Sequence, residues 1–281
     1  MTFNAATPSA LRRVLRDTRI IGWMLLVSLV LAWLASLPAR AAFSEVLDHS
    51  LASQRLVRGF DLGTFAELMS SPEIPQGALM AASSAQFLVF FVFLLFMAGG
   101  VNAAYASEEP LTTGEFFHAC GGYFWRMVRL TLTSLLPFAL VGGALLFLSK
   151  RADALAESPN ERTQDYVLWA GLAGLGLLML WIRAWFDLAQ ARTVAWGERG
   201  MFKTALRTFR LVTLRLYLGY VALGLLRLAL TVAGIWLWMR VAPESTGKSF
   251  LVMEALVLVA IVTRLWQRAT AVRALEAIAR T

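Results

Sequence analysis

Cysteine, histidine and charge are all scarce in this chain, and each scarcity closes off a class of function. The single cysteine, Cys120, rules out an internal disulfide. The two histidines, His49 and His118, belong to no spaced set of Cys, Asp or Glu, so neither a metal nor a cofactor is expected. Sequons of the form Asn-x-Ser/Thr are missing, which favours a bacterial source. Charged residues make up only 16% of the 281, against about 25% in a soluble domain. Also missing are His-Glu-x-x-His, Gly-x-Ser-x-Gly, a phosphate-cradling glycine loop with its lysine, and an aspartate pair in neighbouring apolar runs. An enzyme is therefore not expected.

Apolar sequence takes the place of charge. The chain is 58% hydrophobic, with ten tryptophans and eighteen phenylalanines, and its mean hydropathy is +0.64. A transmembrane helix needs about 20 mostly apolar residues. Six stretches qualify: residues 20–37, 86–106, 130–149, 166–190, 212–239 and 250–268. Backbone groups in lipid must be satisfied within the segment, and these runs are too long for barrel strands. The predicted fold class is all-α: a polytopic membrane protein with six spans in three hairpins, forming one integral membrane domain over residues 1–281.

Orientation follows from Lys and Arg in the connections. With the N-terminus inside, the inner segments carry fifteen of them, from Arg12 to Arg280, and the outer segments eight. The expected location is a cell inner membrane, with both termini cytoplasmic. A rival reading takes the first run as a signal h-region ending at Ala39-Arg40-Ala41, but about 18 residues exceeds the usual 7–15. The isoelectric point near 10.4 points to anionic lipid rather than nucleic acid, because the basic residues flank spans instead of forming a separate patch.

The leads into the three outward-going spans are alike: Ala10 to Arg19, Glu115 to Arg126 and Met201 to Arg210. Each reads as a short amphipathic cytoplasmic interfacial helix that then turns through the membrane. In the third, Phe202, Ala205, Leu206 and Phe209 share one helical face, and Arg199, Lys203, Arg207 and Arg210 share another. That pairing suits the anionic headgroups of the cytoplasmic leaflet. The positive-inside rule alone would leave the same pattern at plain juxtamembrane turns. The outer segment 38–85, about 48 residues, is too short for an independent domain. It reads as one helix through Leu56, a break at Gly59, a second helix over 62–69, and a loop at Pro72, Pro75 and Gly77. The other outer loops, 153–165 and 242–249, read as connectors.

Two short motifs carry a family resemblance. One is Gly-Glu-Phe-Phe-x5-Tyr-Phe-x-Arg, from Gly114 to Arg126. The other is Asp187-Leu-Ala-x-Ala-Arg-x-Val-Ala195, followed by Thr204-Ala-Leu-Arg207. With the tandem helix-plus-hairpin plan, the stretch from about Val46 to Arg210 resembles a group of uncharacterised bacterial inner-membrane proteins. That group is loosely similar to the membrane domain attached to some glycerophosphodiester phosphodiesterases. The resemblance implies a six-span helical module and carries over no catalytic residue.

Ionisable residues within spans are costly and mark candidate sites. Arg183 and Asp187 lie four apart on span four, hence on one face. Arg227, about 22 Å along span five, falls near the bilayer middle. Tyr220, Gly224, Thr231 and Gly234 share its face, and its expected partner is Glu254 or Asp187. It is either a structural ion pair or part of an anion or headgroup site. Gly99-Gly100, Gly142-Gly143 and Gly171-x-x-Gly174-x-Gly176 suggest close helix approach, and Asn102 an interhelical hydrogen bond. Cys120 reads as a small apolar residue, with lipidation as its functional alternative, and His118 as an interfacial residue. The leading expectation is a non-enzymatic membrane module that binds membrane lipid or a partner protein, with a homo-oligomer as a further arrangement. The alternative is a small transporter with an anion or headgroup site around Arg227.

Overall fold

The computed structural model describes residues 3–47, 63, 66, 70, 74–156, 161–241 and 246–279. Among these, eight helices are delimited and no residue is in a strand. They are α1 Phe3–Arg16, α2 Thr18–Leu47, α3 Gln76–Ala106, α4 Thr113–Ala156, α5 Glu161–Ala195, α6 Met201–Phe209, α7 Leu214–Val241 and α8 Thr246–Ala279. Six of them (α2, α3, α4, α5, α7 and α8) are long and apolar enough to cross a membrane. The chain is thus an all-α, multi-pass membrane protein. Leu136, Phe87 and Trp169 are each about two-thirds exposed or more, as side chains facing lipid would be.

The helices outrun the hydropathic spans. Helix α3 begins at Gln76, ten residues before the apolar run, because Gln76–Gln86 contains no helix breaker beyond Gly77. Residues 153–165 and 242–249, expected as connectors, are helical at 153–156, 161–165 and 246–249. Helix α2 continues through Pro38 to Leu47. Proline removes one backbone donor without breaking every long helix. The expected outer helix is therefore, as far as Leu47, the end of α2. Residues 48–62 lie outside the described set, and of the expected second outer helix Gly63 and Ala66 are described and helical.

A second difference concerns the expected interfacial lead at Glu115–Arg126. It is no separate helix but the first turns of α4, which runs unbroken for 44 residues, about 66 Å. Thr112 and Glu115 form a capping box at its start. The Glu115 carboxylate accepts from the Thr112 amide and hydroxyl, both at 2.8 Å, and the Glu115 amide donates to Thr112 Oγ1 at 3.3 Å. The other two leads are separate helices: α1 ends at the turn of Asp17, and α6 is followed by Arg210–Thr213.

The chain divides into two units. The first comprises Met1–Asp17, Leu95–Leu226 and Arg264–Thr281. Its core joins Leu130 of α4, Ile182, Trp185 and Ala189 of α5, and Met201 and Ala205 of α6. Gly99 and Gly100 of α3 press directly on Phe116, Ala119, Cys120 and Tyr123 of α4. Gly171 of α5 meets Leu148. Gly142, Gly143, Gly174 and Gly176, expected to do the same, face open space. Arg13 of α1 is buried, donates to the Tyr105 carbonyl and pairs with Glu276 of α8 at 2.9 Å. That arginine is therefore an internal fastener, not a free surface charge. In the second unit, Thr18–Leu94 and Arg227–Thr263, Gln86 donates to the Leu31 carbonyl at 2.8 Å. Trp238 donates to Ser249 at 2.6 Å, joining α7 to α8.

Candidate functional site

Within the first unit, α6 is fixed by its corner with α5. Gly197 has φ +61°, which glycine adopts without a Cβ penalty. Arg192 donates from Nε and Nη2 to Glu198 Oε1 at 3.0 and 2.8 Å, and its guanidinium lies 4.5 Å from the Trp196 ring centre. Thr204 donates to the other Glu198 oxygen. Burial alone would raise the Glu198 carboxyl, but the hydrogen bonds from Thr204 and Arg192 outweigh it and hold the group below its ordinary range. Arg192 and Thr204 both belong to the second motif read from the sequence, and their shared role is to set the angle at which α6 leaves α5. Trp185 then donates to the Ala205 carbonyl at 2.7 Å, and Trp181 meets Phe209 edge-on at 4.4 Å.

The docking divides α6 into three stripes. Met201, Thr204, Ala205 and Thr208 are buried. Phe202, Leu206 and Phe209 are exposed, at 71%, 63% and 49%. Lys203, Arg207 and Arg210 are exposed as well, as is Arg199 just before the helix. The sequence reading put Ala205 on the outer apolar face. It is instead packed inward, because a nine-residue helix held by two tryptophans needs a protein-facing stripe of small residues.

Beside the exposed apolar stripe lies a cavity of about 300 Å³ between α4, α5 and α6. Its walls include Leu136, Pro137 and Leu140 of α4, Trp181 of α5, and Phe202 and Leu206 of α6. Pro137 supplies no amide to the carbonyl of Thr133, and Thr133 also lines the cavity.

A second constellation of the same unit is polar. Asp187 of α5 is fully buried and takes both prongs of Arg264 from α8, at 2.5 and 2.6 Å. The Tyr220 hydroxyl of α7 lies 3.2 Å from Asp187 Oδ2 and 3.0 Å from the Gln267 carbonyl, and its one proton serves either. Arg183, one turn before Asp187, acts on it electrostatically, as does Arg268. The structure thus brings two of the expected site residues, Arg183 and Tyr220, to a third, Asp187, which Arg264 also holds. Arg227 and Glu254 belong to the second unit. There the Arg227 carbonyl accepts from Thr231 at 2.8 Å, and Glu254 Oε2 is buried without a hydrogen-bond partner among the described residues.

Arg264, Gln267 and Arg268 were missed as site residues. A buried Asp187 demands a cation, and two arginines four apart at the end of the last span were the available signal. Asn102, expected to bond across helices, donates to Ala98 of its own helix at 2.8 Å. His118 is exposed and Cys120 is fully buried against Gly100, so the thiol is shielded from lipidation. Among the described residues no group of three or more His, Cys, Asp or Glu could hold a metal ion. No protein-family model, curated protein or solved structure matches the chain.

Proposed function

We propose that the chain is a non-enzymatic integral membrane module that holds an anionic phospholipid against α6, at the cytoplasmic face of a bacterial inner membrane. The observation that carries this reading is the exposure, side by side on one docked helix, of an apolar stripe and a basic one. An interfacial helix puts its apolar side at the acyl boundary and its cations at the phosphates. Phe202, Leu206 and Phe209 suit the first and Lys203, Arg207 and Arg210 the second. The adjoining apolar cavity suits an acyl chain of the same lipid. The Arg13–Glu276 pair, which ties α1 to the last turns of α8, supports both termini on one side. The excess of Lys and Arg in the inner segments supports that side being the cytoplasm. The resemblance of 114–126 and 187–207 to bacterial inner-membrane proteins fits the same reading.

Each basic residue near an anionic surface contributes about 1 kcal/mol. Lys203→Gln/Arg207→Gln/Arg210→Gln is therefore expected to weaken a bound anionic lipid on the order of 100-fold. Native mass spectrometry in mild detergent, with phosphatidylglycerol titrated against phosphatidylcholine, measures this. Wild-type protein prefers phosphatidylglycerol and the triple variant loses the preference. An unchanged preference contradicts the reading. A retained polypeptide in place of lipid would reassign the face to a partner protein or a second copy.

A further inference from the structure

Arg268 of α8 lies in the cluster around Asp187 with part of its guanidinium unsatisfied. Arg183, Arg264 and Arg268 surround one carboxylate, and both oxygens of that carboxylate are occupied by Arg264. Arg268 is only 7% exposed, yet its Nε and Nη1 are buried with no hydrogen-bond partner among the described residues. Its electrostatic neighbours are Arg264, Asp187, Arg183 and Tyr105. The hydroxyl of Tyr105 is likewise buried and unpartnered. Three orphan donors, two on a guanidinium and one on a phenol, thus occupy one electropositive interior. Buried donors are almost always satisfied, and buried charges are paired. A guanidinium fork matches the oxygens of a phosphate or carboxylate in geometry as well as charge. Ionisable residues within spans mark ligand pathways by default.

We propose that Arg268, with Arg264, Arg183 and the Tyr105 hydroxyl, forms an interior site for a phosphate oxyanion. Arg268 provides its cation and two unsatisfied N–H groups on different edges of the guanidinium, Nε and Nη1, and Tyr105 a third donor, beside the Asp187–Arg264 pair. The phosphate is either a free anion or the headgroup of a membrane lipid. This site is separate from α6 and stands independently of the lipid held there.

The test uses full-length protein purified in mild detergent and phosphate-free buffer. First, native mass spectrometry of the protein as purified reports any retained phosphate or phospholipid. Second, thermal unfolding is followed with added inorganic phosphate, and separately with a short-chain phosphatidylglycerol. Wild-type protein is expected to retain a phosphorus-bearing ligand, or to melt several degrees higher with one of the two probes. A rise with inorganic phosphate assigns a free anion; a rise with the lipid alone assigns a headgroup. Arg268→Met is expected to abolish retention and shift. Arg268→Lys, which keeps the charge but loses the guanidinium's separately directed donors, is expected to weaken binding at least tenfold and guards against a variant that fails to fold. Equal binding by wild type and Arg268→Lys overturns the proposal. So does a wild type with neither retained ligand nor shift, above all if Arg268→Met then melts higher, as replacement of an unpaired buried charge would.

Discussion

Truncating Asp187 to alanine is expected to destabilise the protein by about 3–5 kcal/mol, the range found when one member of a buried ion pair is removed. Little of that is lost attraction. Asp187 is fully buried and holds Arg264 by two charge-assisted hydrogen bonds at 2.5 and 2.6 Å. Without it, the Arg264 guanidinium is left buried beside Arg268 with its bidentate acceptor gone, and Tyr220 loses one of its two acceptors. Removing both charges has a different outcome. Asp187→Leu/Arg264→Met exchanges the pair for apolar groups of similar volume, a change that is often neutral or stabilising for buried pairs. The double variant is thus expected to recover much of the loss, and a double-mutant cycle in detergent isolates the coupling. Equal losses in the single and double variants would show that the pair does not act as a unit.

The next largest effect is expected where α3 meets α4. A Cβ added at Gly100 would sit 2.9 Å from the Phe116 carbonyl oxygen, a backbone atom that cannot rotate away. Gly100→Ala must therefore push the helices apart, and the expected cost is about 1–3 kcal/mol, as for other overpacked cores. Gly143→Ala is the control. It faces open space on α4, and alanine is the better helix former by about 0.8–1 kcal/mol, so the variant is expected to be neutral or slightly stabilising. Thermal unfolding of the two variants side by side decides the matter. Similar melting temperatures would mean that Gly100 is not a contact.

These glycines show where sequence reading stops. Gly99-Gly100 and Gly142-Gly143 look identical as sequence, and only the rotation of each helix against its neighbour tells them apart. The six spans were legible because length and hydropathy are local properties of a helix in lipid. The three residue types on α6 were legible for the same reason, since 3.6-residue spacing needs no knowledge of partners. Ala205 was assigned to the wrong stripe because its packing against Trp185 depends on the corner set by Arg192, Glu198 and Thr204. The partner of Asp187 was not legible, because Arg264 lies 77 residues away on another helix. The expected break between an interfacial lead and span three failed for a local reason: the Thr112–Glu115 capping box starts one helix, and no proline follows until Pro137.

The most direct test of the central claim is the depth of α6 in a bilayer. Spin labels at positions 202 and 207, in a Cys120→Ala background reconstituted with phosphatidylglycerol, report their contact with dissolved oxygen and with a water-soluble nickel reagent. A helix lying at the acyl boundary puts the label at 202 in reach of oxygen and the label at 207 in reach of nickel. If both labels meet nickel equally, α6 stands in water and the lipid-holding face does not exist.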